Sequence, residues 1–78
     1  MVQIVFGVHK SKSEECFSNV RTCKGFLSPC IPKSVEKDGF VARVASFNNI
    51  DDANAFIYKN HNSFGLYFYV KSMKDVNY

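Results

Sequence analysis

An approximate internal repeat of a strand followed by a helix constrains this chain more than any other feature. Val2-Gln3-Ile4-Val5 aligns with Ala42-Arg43-Val44-Ala45. Each run leads through a short polar loop to an acid-rich helix start, Glu14-Glu15 in the first half and Asp51-Asp52 in the second. Cys16, Val20 and Cys23 align with Ala53, Ile57 and Asn60. A strand after each helix gives the order β-α-β-β-α-β.

The local signals fit that order. Val2 to Val8 is rich in β-branched residues and reads as a strand. Ser11-Lys-Ser-Glu14 suits a capping box, with Ser13 as a competing N-cap, and opens a helix expected over Ser13 to Lys24. Gly25 is a natural stop. Phe26 to Ile31 is interrupted by Pro29 and followed by Pro32, so it suits only an edge strand or irregular chain. Asp38-Gly39 is a hairpin signal leading into a strand over Phe40 to Phe47. Asn49 or Asp51 caps a second helix, and Asn60 to Gly65 reads as a turn. Leu66 to Lys71 alternates as the last strand.

The 78 residues hold one domain, expected over residues 1–72, with a polar tail over 73–78. The expected fold class is α+β: a ferredoxin-like four-stranded antiparallel sheet with two helices on one face. The strands that open each half would be central.

Such a sheet leaves one face free of helices, and alternation states what lies there. Val2, Ile4, Phe6, Phe40, Ala42 and Val44 should point to the helices, with Leu66, Phe68 and Val70. Gln3, Val5, Arg43 and Ala45 should face away, joined by Tyr67, Tyr69 and Lys71. The candidate ligand surface is therefore Gln3, Val5, Arg43, Tyr67, Tyr69 and Lys71.

Composition narrows the function classes. Net charge is +3, and the ten basic residues are scattered. That is a solubilising charge more than a nucleic-acid stripe. No apolar run approaches the roughly 20 residues of a membrane span. Cys16, Cys23 and Cys30 are odd in number and read as reduced thiols packed as small hydrophobes, with a Cys23–Cys30 pairing left open. Cys16 and Cys23 would stand about 10 Å apart on one helix, too far for a bridge. Reduced thiols favour the cytoplasm if the chain is complete. A chain cut from a longer one would suit the cell envelope.

No catalytic set emerges. Nothing brings His9 or His61 to a cysteine, no Cys pair has zinc spacing, and the four glycines form no phosphate loop. A binding module without cofactor, metal or enzymatic activity is expected.

The run Val2-Gln3-Ile4-Val5 resembles the opening motif of SPOR (sporulation-related repeat) domains. Cys23-Lys24-Gly25-Phe26 is similar to their helix exit. Phe40 to Phe47 followed by Asp51-Asp52-Ala53-Asn54 is similar to their second unit. The likeness covers about residues 2 to 71. It implies a βαββαβ fold that binds peptidoglycan glycan strands lacking stem peptides through the sheet face, with Gln3 and Arg43 matching the motif positions. Amide and guanidinium groups are multiple donors, and tyrosine rings add a flat apolar surface.

The alternative is a small protein-binding regulator or inhibitor, of the sort phages encode, docking by the open sheet or the proline-bearing edge. RNA-recognition domains of this strand order stack bases on aromatics of the two central strands. The expected positions here are Gln3, Val5, Arg43 and Ala45, so nucleic acid is not the expected partner. Single-strand binding through Tyr67 and Tyr69 is the lesser alternative. An exposed edge strand leaves homodimer pairing open.

Overall fold

The computed structural model describes residues 1–35 and 37–76, and of residues 28–35 the backbone alone. Four strands and two helices follow in the order β1 (Val2–His9), α1 (Ser13–Arg21), β2 (Phe26–Val35), β3 (Phe40–Phe47), α2 (Ile50–Phe64) and β4 (Phe68–Asp75). The sheet is antiparallel with spatial order β2-β3-β1-β4. The order and topology are those of a ferredoxin-like fold. β1 and β3 are central, and the proline-bearing β2 lies at an edge with an irregular register, where missing donors cost least. Asp38 and Gly39 both adopt positive φ, 63° and 82°, in the turn that reverses the chain into β3. No helix among the described residues is long and apolar enough to cross a membrane.

The core lies between the helices and one face of the sheet. Val2, Ile4, Phe6 and Val8 point into it from β1. Phe56 of α2 sits at its centre. Its ring stacks on Phe47 at 4.9 Å and meets Phe6 at 5.3 Å and Phe68 at 5.8 Å edge-on. Helix α1 contributes Cys16 and Val20, four residues apart on one face. The two helices are also clipped by a polar group. Buried Asn60 donates from Nδ2 to the Phe56 carbonyl at 2.9 Å, and its Oδ1 accepts from Asn19 Nδ2 at 3.4 Å and Cys16 Sγ at 3.6 Å. A buried amide satisfied on both ends fixes the helix pairing without leaving an orphan.

Several boundaries differ from the sequence expectation. Helix α1 ends at Arg21 rather than Lys24, because the Thr22 and Cys23 amides already close its last turn on Asn19 and Val20. Helix α2 runs to Phe64 instead of turning near Asn60, since both Asn60 and Phe64 are buried one turn apart on its core side. Gly65 then breaks it at φ 53°. A short 3-10 turn, Gly65–Tyr67, delays β4 to Phe68. Leu66, expected in the core, is therefore 95% exposed, and Val70 is exposed as well. β4 continues to Asp75, so residues 73–75 are sheet rather than tail. The Met1 ammonium lies 3.9 Å from the Asp75 carboxylate, and the Val76 amide donates to the Met1 carbonyl at 2.8 Å.

A bulge in β4 shifts its pairing so that Val5 faces Ser72 and Phe6 faces Val70, leaving Lys71 as the extra residue. A bulge with Lys71 and Lys74 blunts this edge against pairing with other chains.

Capping agrees with the expectation at α2 and departs from it at α1. Asn49 caps α2, its side chain accepting from the Asp52 amide at 2.9 Å. Helix α1 has no side-chain cap: Ser11 turns back to His9, and Ser13 is the first helical residue, buried and bonded elsewhere. Cys16 and Cys23 are reduced cysteines, while the Cys30 side chain lies outside the described residues. Burial pushes the Cys23 thiol up, with the Lys59 ammonium acting in the other direction, so the thiol form is favoured at neutral pH.

Gly25 joins the two halves. It stands at φ 78°, its carbonyl accepts from the Asn48 amide at 2.9 Å, and a methyl added there would meet the Asp52 carboxylate at 2.2 Å. A Gly25→Ala variant is expected to lose about 1–3 kcal/mol, part from the left-handed backbone and part from displacing Asp52. Urea unfolding monitored by far-UV circular dichroism checks this. A midpoint equal to wild type would mean that the loop relaxes freely.

Candidate ligand-binding face

Residues paired across antiparallel strands share a face, so the register fixes which side chains meet on the helix-free surface. From β1 these are Gln3, Val5, Gly7 and His9. Their β3 partners are Ser46, Val44, Ala42 and Phe40. From β4, Tyr69 pairs with Gly7, Ser72 with Val5 and Lys74 with Gln3.

The β3 phase is opposite to the sequence expectation. Val41, Arg43, Ala45 and Phe47 face the helices, across from Val8, Phe6, Ile4 and Val2. Phe40, Ala42 and Val44, expected in the core, belong to the open face. Ala45, expected on the open face, is buried in the core. The physical reason is Phe47. Its ring needs the helix side, where it stacks on Phe56 and meets Phe26 at 5.9 Å. A period of two then carries Arg43 to that side too.

Arg43 is accommodated there rather than solvated. It is 6% exposed. Its Nε donates to Ser13 Oγ at 2.9 Å, a second guanidinium nitrogen donates to the same oxygen, and the guanidinium carbon lies 5.3 Å from the Phe17 ring centre. Arg43 thus fastens the start of α1 to the sheet and takes no part in a ligand surface on the other side.

The other candidates divide. Gln3 and Val5 are half-buried on the open face, Val5 at its middle and Gln3 at the end away from His9. Tyr69 lies on the same face. Tyr67 sits in the turn before β4 rather than on the strand, yet its ring joins the cluster described below. Lys71 is exposed at the bulge.

What the structure assembles instead is a row of rings at one end of this face. Tyr67 and His9 have ring centres 5.5 Å apart, His9 and Phe40 5.4 Å, and Phe40 and Tyr69 5.4 Å. All three contacts are steeply inclined, the geometry aromatic quadrupoles favour. The Tyr69 ring is laid over Gly7: a methyl on that glycine would meet ring atoms at 2.3–2.7 Å. Gly7 is buried beneath it, while Tyr69 keeps 39% of its surface and Tyr67 46%. The imidazole of His9 is oriented by Ser11, whose amide donates to Nδ1 at 3.2 Å and whose hydroxyl lies 2.9 Å from it. Lys12 Nζ stands 5.9 Å from the Tyr67 ring centre, within cation–π range.

Sequence reasoning missed His9, Phe40 and Gly7. The polar run from His9 predicts a loop, and alternation from Phe40 predicts the core face for its ring. Gly7 opposite a tyrosine-bearing strand was the available signal, since a glycine inside a strand marks a close approach. Among the described residues no group of three or more His, Cys, Asp or Glu lies close enough to share a metal ion. No protein-family model, curated protein or solved structure matches the chain.

Proposed function

We propose that this chain is a non-catalytic binding module whose ligand surface is the helix-free sheet face, centred on the rings of His9, Phe40, Tyr67 and Tyr69. The observation that carries the reading is Tyr69. Its ring is seated over Gly7 by the backbone geometry of two paired strands, and more than a third of the residue remains in solvent. A ring fixed that way offers apolar area with little further loss of side-chain freedom, and its hydroxyl supplies a polar tip. The floor beside it is built from small or half-buried groups, Ala42, Val44, Val5 and Gln3, so an extended ligand can run along the strands without obstruction. A peptidoglycan glycan strand would meet Gln3 and the tyrosines here but not Arg43, which the SPOR-like reading requires beside them.

Titration of the full, isotope-labelled chain tests the reading by NMR, using glycan strands without stem peptides and, separately, single-stranded oligonucleotides. At least one ligand is expected to shift the amides of Gly7, His9, Phe40 and Tyr69 and to leave α1 and α2 unmoved. Shifts centred on the helices, or none with either ligand, overturn the reading.

A further inference from the structure

We infer that the ligand of this face is a single-stranded nucleic acid; the inference rests on the reading of the face given above and names its substrate class. Two observations carry it. First, rings stand on both central strands, His9 ending β1 and Phe40 opening β3, with Tyr69 beside them on β4. Aromatic rings on an open sheet are the surface on which unstacked bases bind, and stacking tolerates any base because each has a π-face.

Second, lysines flank the rings and few carboxylates do, although Arg21, Lys24, Arg43 and Lys59 belong to the helix side. Lysines adjoin three of the four rings in the chain: Lys10 and Lys12 after His9, Lys37 before Phe40, Lys71 and Lys74 after Tyr69. The described carboxylates are mostly elsewhere. Glu14, Glu15, Asp51 and Asp52 occupy the first turns of the two helices, on the other side of the sheet, and Asp75 lies by the Met1 ammonium. Asp38, in the turn before Phe40, is the exception among them. Rings with lysines around them suit a polymer that alternates a flat base with a phosphate, better than a sugar chain with fewer charges. A duplex does not fit, because its bases are already stacked. Lys12, held over Tyr67, offers a cation beside the base on that ring.

Fluorescence anisotropy with the full chain and a labelled single strand of about a dozen nucleotides, a site size within the usual range, tests this. The single strand is expected to bind and a duplex of equal length to bind much more weakly. Affinity should fall steeply between about 50 and 200 mM salt. Tyr69→Leu, which keeps apolar cover over Gly7, should weaken binding about 5- to 150-fold, the equivalent of one lost base stack, while Tyr69→Phe stays near wild type. Lys12→Gln should reduce the salt slope by about one phosphate contact, and it does not depend on how Tyr69→Leu folds. Absent single-strand binding, equal duplex binding, or identical affinities for the Leu and Phe variants with an unchanged Lys12→Gln slope overturns the inference. Binding of the glycan strand alone, at the same amides, overturns the nucleic-acid assignment and leaves the face as the ligand surface.

Discussion

Phe56→Ala is expected to lower the unfolding free energy by about 3–5 kcal/mol, the range for truncating a buried phenylalanine. Phe56 is 1% exposed and touches the rings of Phe6, Phe47 and Phe68, which come from three different strands. Its loss removes apolar area and also leaves a cavity that those strands cannot close together. A chain of 78 residues has roughly 4–12 kcal/mol of stability in total. The variant would therefore be marginal, with a melting point lower by about 12–40 °C. Thermal and urea unfolding of the two proteins decide it. A loss under about 1 kcal/mol would mean that the four-ring centre does not hold the sheet to the helices.

Arg43→Ala separates two accounts of the same residue. Seated beneath α1, Arg43 bonds Ser13 and covers Phe17. Its removal is expected to cost about 2–4 kcal/mol, because the Ser13 hydroxyl is left buried without its donors and packing on Phe17 is lost. Arg43→Lys should recover only part of that, since an ammonium cannot fork onto one hydroxyl while lying against a ring. Binding at the open face should be unchanged at temperatures where the variant is folded. Unfolding curves and ligand titration together check the pair of expectations. Normal stability with abolished binding would return Arg43 to the ligand surface and refute the β3 register.

The strand and helix order was legible because its signals are local. Asn49 before two acids, Gly25 after a helical stretch and Asp38-Gly39 between strands each act through backbone geometry that neighbours a few residues away determine. The edge position of β2 was legible for the same reason: two prolines remove its ladder donors whatever surrounds them. The placement of Gln3, Val5 and Tyr69 on the helix-free face was legible, because their strands have one apolar face near the relevant residue. The faces of Arg43 and Phe40 were not legible. Phe40 to Phe47 carries apolar side chains at both parities, so period two alone gives two equally good phases.

The sequence by itself determined the βαββαβ succession, the capping of α2 and the inward face of β1, since each depends on interactions between residues close in the chain. Only the tertiary structure decided which way β3 faces, where β4 begins and that four distant rings meet. Those outcomes follow from the fit of Phe47 against Phe56, the burial of Phe64 and the space over Gly7 for Tyr69. They are packing relations between residues far apart in the chain, and no local pattern encodes them.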